Sequence, residues 1–267
     1  LGPPFELGSQ TVHAGVSIGI ALSGGGCTPE GLLRDADTAL YAAKNAGRGR
    51  VAWFSADLHV AAETRFSLEN SLREALQTGM GFTVAFQPIV DTATGSVRSL
   101  DALARWTHPS RGPVPPAQFI PLAESAGIMP ALDIFVVEQA LNELGLRRRS
   151  DPALGININV SGQTLGTDTF EEDLLALARK HGVPVEAITL EVLESALLIH
   201  GAADAAGRLR QAGFRIALDD FGAGVSSLTQ FVNMTADVVK IDRSFVAEAA
   251  AGNARAVTLL RLMIQAG

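Results

Sequence analysis

The chain has 267 residues, 47% of them hydrophobic, and a net charge of −7. That is apolar material for one large domain or two modest ones. The acidity argues against non-specific nucleic-acid binding as the main activity, and no apolar run approaches the roughly 18 residues of a membrane span. A single cysteine, Cys27, excludes an internal disulfide and fits a reducing cytosol, so a cytoplasmic location is expected.

Residues 1 to 60 read as a short α/β piece. Val12 to Leu22 is strand-like, interrupted by Gly15 and Gly19. Ser23-Gly24-Gly25-Gly26 has neither the Lys-Ser/Thr of a phosphate loop nor dinucleotide-fingerprint spacing, and reads as a turn. Pro29 to Ala46 predicts a helix with Leu32, Leu33, Ala36, Ala39, Leu40 and Ala43 on its apolar stripe, stopped by Gly47. Arg50 to Phe54 predicts a strand. This is too little chain for a domain with a good core.

Residues 61 to 79 predict a linking helix ending at Gly79. From Phe82 onward strands alternate with helices. The strand-like runs are Phe82–Val90, Val97–Trp106, Gly155–Val160, Ala187–Val192, Phe214–Leu218 and Asp237–Ile241. Amphipathic stretches at 168–181, 201–213 and 225–234 separate the last four. That order predicts a mostly parallel sheet covered by helices. The basic run Arg147-Arg148-Arg149 closes a helical stretch, where it complements the helix dipole.

A polar residue that a strand interior disfavours recurs near the strand ends: Asp101, Asn159, Glu191, Asp219 with Asp220, and Lys240. In a barrel of βα units the C-terminal strand ends converge on one mouth. Oxygen donors and one ammonium would then share a pocket, as a hard-metal site requires. Leu218-Asp219-Asp220-Phe221-Gly222-Ala223-Gly224 is the sharpest instance. Taken alone, its adjacent carboxylates also suit an Asx turn and a helix cap.

The segments Phe86-Gln87-Pro88-Ile89, Asp101-Ala102-Leu103-Ala104-Arg105-Trp106, Phe119-Ile120-Pro121, Ile158-Asn159-Val160-Ser161, Leu190-Glu191-Val192-Leu193-Glu194-Ser195, Asp219-Asp220-Phe221-Gly222 and Val239-Lys240-Ile241-Asp242-Arg243-Ser244-Phe245 occur in that order. The chain from residue 82 resembles an EAL domain, the cyclic-di-GMP phosphodiesterase family. Residues 1 to 60 resemble the C-terminal third of a GGDEF domain through Ser17-Ile18-Gly19-Ile20-Ala21, Ala36-Asp37-Thr38-Ala39-Leu40-Tyr41-Ala42-Ala43-Lys44 and Gly47-Arg48, without the cyclase signature itself. The expected organisation is a GGDEF remnant at 1–60, a linking helix at 61–80 and an EAL domain at 81–267.

The resemblance implies a TIM-like (β/α)8 barrel, incomplete at its C-terminus, that hydrolyses cyclic-di-GMP to pGpG with Mg²⁺ or Mn²⁺. By the same resemblance Asp101, Asn159, Glu191 and Asp219 are metal ligands, and Asp220 serves a second metal. Lys240, Glu191 and Asp219 carry the catalysis, Lys240 by orienting the attacking water. Gln87 and Arg105 contact the nucleotide. Glu194 anchors the loop 221–227, which also implies a homodimer contact.

The chain departs from the family pattern at several points. Asp101 stands where the family has Glu, one methylene shorter, about 1.5 Å. Leu193 stands for the usual Thr and Val225 for an aromatic. The sequence ends at Gly267 before the family's Ala-Glu-Gly-Val-Glu strand with its catalytic Glu, so six strands are expected where the closed barrel has eight. The chain reads as a fragment of a GGDEF–EAL protein. Two functional readings stand: a phosphodiesterase, or a degenerate EAL domain that binds cyclic-di-GMP or a protein partner without cleaving it.

Overall fold

The computed structural model describes residues 5–7, 10–12, 15–23, 28–45, 47–199, 201–221 and 236–266. They fall into two compact units, Leu1–Ser71 and Leu72–Gly267. In the first, β1 (Phe5–Leu7) and β2 (Gln10–Val12) pair antiparallel, and β3 (Ile18–Ile20) and β4 (Val51–Trp53) pair parallel. The strand expected over Val12–Leu22 is therefore divided between β2 and β3.

Helix α1 (Pro29–Asn45) begins where Thr28 Oγ1 accepts the Gly31 N–H at 3.1 Å, and it buries Ala39 and Ala43 completely. Gly19 lets β3 lie directly on α1. A Cβ there would sit 2.1 Å from the Ala36 carbonyl oxygen, closer than any side chain can come. Helix α2 (Ala56–Thr78) starts five residues earlier than its apolar pattern suggested, because the Ser55 hydroxyl accepts the Leu58 N–H at 3.2 Å. It ends at Gly79, whose φ is +69°.

The second unit is built on one sheet. Its strands are β5 (Phe82–Val90), β6 (Val97–His108), β7 (Gly112–Val114), β8 (Gly155–Asn159), β9 (Ile188–Leu193), β10 (Arg215–Phe221) and β11 (Val238–Ile241). They run in the order β11-β10-β9-β8-β6-β5, with β7 hanging antiparallel from β6. All six expected strands are present within a few residues of their predicted ends. The three-residue β7 is additional, and too short to announce itself by alternation. β5 and β6 form an antiparallel hairpin, while β6, β8, β9, β10 and β11 are mutually parallel. The parallel strands therefore send their C-terminal ends to one side.

Between the strands lie α3 (Pro116–Ser125), α4 (Met129–Arg147), α5 (Gly162–Leu165), α6 (Phe170–His181) and α7 (Ala202–Gln211), followed by α8 (Arg243–Ala250) and α9 (Ala254–Ala266). Residues Ile188 to Val192 of β9 are all buried, as a parallel strand covered on both faces requires. Helix α4 sinks Leu132, Val137, Ala140, Leu141 and Leu144 into this core. Phe82, Trp106, Phe119 and Phe135 pack as an aromatic cluster, with centroid spacings of 5.7 to 6.0 Å. Arg147 closes α4 and Arg148 caps it, donating to the Leu154 carbonyl. The stretch expected as a helix at 225–234 lies outside the described residues, as do Gly24 to Gly26. Among the described residues no helix is long and apolar enough to cross a membrane.

Candidate active site

Strand register brings the predicted residues together. Asp101 on β6 pairs with Asn157 on β8, Asn159 pairs with Glu191 on β9, and Glu191 pairs with Ala217 on β10. Side chains alternate along each strand, so Asp101, Asn157, Asn159, Glu191 and Asp219 share one face. Lys240 arrives from β11 on the far flank. The β10–β11 ladder is irregular there. Leu218 pairs with Val239 and Phe221 with Ile241, so Asp219 and Asp220 together oppose the single Lys240. That is a bulge. Asp220 absorbs it with φ +53°, a left-handed conformation uncommon for a residue with a side chain.

The result is one ammonium facing three carboxylates. Lys240 Nζ donates to Glu191 Oε2, lies 3.3 Å from Asp219 Oδ1 and 3.8 Å from Asp101 Oδ2. Glu191 has a fully buried side chain, whereas Lys240 keeps 30% of its own exposed. The second oxygen of Glu191 accepts from Asn157 Nδ2 at 2.7 Å. Both oxygens of this buried carboxylate are thus engaged, as its burial demands. The Asp220 N–H donates to Asp219 Oδ1 at 3.1 Å, which fixes that side chain against its own strand.

Asn157 is the residue that sequence reasoning missed. The signal was there: the alternation Ile156-Asn157-Ile158-Asn159 puts a second amide on the same face as Asn159, two residues back. Asn159 itself is exposed at the strand end. Gln87, on β5, pairs directly with Asp101 across the hairpin, and Arg105 lies four residues beyond Asp101 on the same face of β6. Both are exposed, and the Arg105 guanidinium donates to the Ala104 carbonyl at 2.9 Å. Glu194 opens the 3₁₀ turn that follows β9 and is half-buried. The segment it was expected to anchor lies, beyond Phe221, outside the described residues, as does Val225.

The charges act on one another. Burial, reinforced by Glu191 and Asp219, pushes the Asp101 carboxyl up to about 6, although Lys240 and Arg105 oppose the rise. Burial, with Asp219 and Asp242 nearby, also raises Asp220. Burial disfavours the charged form of Lys240, but the hydrogen bond to Glu191 and the surrounding carboxylates outweigh it and raise its pKa.

The donors fit a hard divalent cation in kind. They are all oxygens, and Asp101 Oδ1 is buried without a hydrogen-bond partner. Among the described residues, however, no three His, Cys, Asp or Glu side chains converge as they stand on one metal position. The three carboxylates are instead gathered around Lys240.

A pH effect follows from Asp101. The unfolded carboxyl titrates at 3.8 and the folded one at about 6, so the folded state binds more protons between those values. Without added metal, this group's contribution to stability falls as pH rises from about 4 to 6 and stays low above that. A cation competing with the proton binds best above about pH 6. Thermal melts are therefore expected to show a larger Mn²⁺ stabilisation at pH 7.5 than at pH 5. Equal shifts at the two pH values would argue against Asp101 as a ligand of a bound cation.

A mostly parallel sheet with covering helices and a charged cluster at its C-terminal strand ends defines a mixed α/β protein with its candidate site at those strand ends. The comparisons narrow this. The EAL domain family matches residues 69–267, and the family described as "Diguanylate cyclase, GGDEF domain" matches residues 1–50. The chain belongs to the EAL domain family and carries a GGDEF segment at its start. An uncharacterised protein of Mycobacterium tuberculosis is 37% identical over 248 residues, which is 90% of this chain and 39% of that protein. Cyclic di-GMP phosphodiesterase PdeR of Escherichia coli is 33% identical over 246 residues, 91% of this chain and 37% of PdeR. The EAL enzyme Bd1971, solved with cAMP and cyclic-di-GMP bound, superposes with a TM-score of 0.71 at 29% identity, covering 77% of this chain and 57% of that one. The chain thus spans well under half the length of the M. tuberculosis protein and of PdeR.

Proposed function

We propose that the protein hydrolyses one phosphodiester of cyclic-di-GMP to linear pGpG, in second-messenger signalling, with Mg²⁺ or Mn²⁺. The observation that carries this reading is the convergence of Asp101, Glu191, Asp219 and Lys240, from four strands, on one mouth. The naming of PdeR and the nucleotide bound to Bd1971 support the substrate. Asp101, Asn159, Glu191 and Asp219 would hold the cation, with Asp220 reserved for a second. When bound, a divalent cation supplies positive charge against the phosphate and makes water a stronger acid.

The chain's own groups do the rest. Lys240, held among carboxylates, stays protonated and orients the attacking water by donating to it. Glu191 fixes Lys240 and is itself fixed by Asn157. Asp219 adds negative charge on the side from which Lys240 comes. Gln87, opposite Asp101, and Arg105, further along the same face, are placed to meet the nucleotide, the guanidinium by its fit to phosphate. Glu194, at the turn after β9, is assigned to anchoring the loop beyond Phe221. In this reading residues 1–60 are the GGDEF remnant, 61–80 the linking helix and 81–267 the EAL domain, which forms a homodimer and works in the cytoplasm.

Asp101 supports a second reading, a domain that binds cyclic-di-GMP without cleaving it. Its carboxylate is one methylene short of a Glu at the same place, and a cation that demands oxygens at roughly 2.0–2.1 Å feels that difference. The two readings part on one variant. Asp101→Glu in the full-length protein is expected to raise pGpG formation several-fold over an already measurable wild-type rate. Binding of cyclic-di-GMP with no pGpG from either form would favour the second reading and sink the first.

A further inference from the structure

Asp133 is a buried carboxylate that the chemistry above does not use. It sits on α4, is 5% exposed, and points at the end of β8. Its Oδ2 accepts the Ser161 N–H at 2.9 Å and the Thr164 hydroxyl at 2.5 Å. Ser161 Oγ in turn lies 2.9 Å from Thr164 Oγ1 and accepts the Thr164 N–H at 3.2 Å, capping α5. Thr164 is 1% exposed and Ser161 is half-buried, so the Asp133–Thr164 bond lies inside the protein and Ser161 at its edge.

The position of this network gives it a consequence. The last rung of the β8–β9 ladder is the Val160 N–H donating to the Glu191 carbonyl at 2.9 Å. One residue on, the Ser161 N–H points away from β9, and Asp133 supplies its acceptor. Asn159, the amide donor of the site, lies immediately before these two anchored residues. The same network seats α5, and α5 abuts the turn that follows β9. A Cβ on Gly162 would lie 2.9 Å from the Ala196 carbonyl oxygen, so the two segments touch backbone to backbone. One carboxylate therefore fixes both the end of β8, with Asn159, and the start of the segment leaving β9 after Glu191.

We infer that Asp133 is a positioning residue for the active site, setting where Asn159 stands relative to Glu191. The inference rests on the reading of that pair as cation donors. A buried carboxylate with only apolar neighbours is costly. Here the hydrogen bonds from the Ser161 N–H and the Thr164 hydroxyl offset that cost, and outer partners of this kind typically change metal affinity or activity 10- to 100-fold when removed.

The experiment uses the full-length protein and the variants Asp133→Leu, Asp133→Asn and Thr164→Val. It reads the Mn²⁺ concentration that half-saturates cyclic-di-GMP hydrolysis, together with amide exchange over residues 159–165. Asp133→Leu removes the acceptor, so the half-saturating Mn²⁺ should rise about tenfold or more and exchange at 159–165 should quicken. Asp133→Asn keeps one oxygen at the Oδ2 position and should stay within about threefold of wild type. Thr164→Val removes one of the two bonds without touching the backbone contact, should fall between them, and serves if the Leu variant fails to fold. A purely structural role would lower the yield of active protein but leave half-saturation unmoved, and that result overturns the inference. So does an Asn variant as damaged as the Leu variant, or a Thr164→Val half-saturation equal to wild type. A wild type with no response to Mn²⁺ would overturn the reading of the site, and this inference with it.

Discussion

Replacing Lys240 by Met should cost about 10³-fold in turnover and, without added metal, about 3–5 kcal/mol of stability. The rate loss follows from the role proposed for Lys240, donating to the attacking water, since a positioned proton donor or acceptor contributes about 10²–10⁴-fold. The stability loss follows from the surroundings. Glu191 is fully buried and loses its charge partner, while Asp219 at 3.3 Å and Asp101 at 3.8 Å lose theirs. Breaking a buried ion pair by removing one partner typically costs about this much. The two effects should separate on addition of Mn²⁺. A divalent cation among the same carboxylates restores positive charge, so the melting temperature should recover while turnover does not. A Lys240→Met protein with wild-type melting in the absence of metal would show that the carboxylates do not depend on the ammonium.

Glu191→Gln should lower turnover by about 10²–10³-fold, with an expected stability loss smaller than that of Lys240→Met. The amide keeps the size of the side chain and can still accept from Asn157 through its oxygen. Its NH₂ then faces the Lys240 ammonium, donor against donor, on the buried side of the cluster. Lys240 swings toward Asp219 and Asp101, and the Asn159–Glu191 row loses its negative charge. The signature is a raised Mn²⁺ requirement beside a lowered kcat, measured as pGpG formation over a Mn²⁺ series. An unchanged Mn²⁺ requirement would remove Glu191 from the cation's surroundings.

Six of the seven strands of the second unit were legible as largely apolar runs separated by turn or helical stretches; β7 was too short to read. Glu191 and Lys240 stood out because a charge inside such a run is costly unless it is used. What could not be read was the registration between strands. The bulge that sets both Asp219 and Asp220 against Lys240 arises from one left-handed residue, and nothing in Asp219-Asp220-Phe221 fixes which residue takes it. Asn157 was passed over because an amide among isoleucines reads as one more polar interruption until Glu191 is placed beside it. Asp133 was hidden for the opposite reason. It sits in a helix whose pattern calls for an apolar residue there, and its partners lie 28 and 31 residues away. The start of α2 was misjudged because its apolar stripe begins later than its cap at Ser55.

The central claim is that the cluster around Lys240 is a divalent-cation site serving phosphodiester hydrolysis. Anomalous diffraction from crystals of the full-length protein grown with Mn²⁺ and cyclic-di-GMP tests it most directly. The account predicts an anomalous peak bounded by oxygens of Asp101, Asn159, Glu191 and Asp219, with the Lys240 ammonium displaced from Asp101 but still within reach of a water beside the phosphate. Nucleotide bound with Lys240 still seated among the three carboxylates, and no anomalous peak at the strand ends, would contradict it.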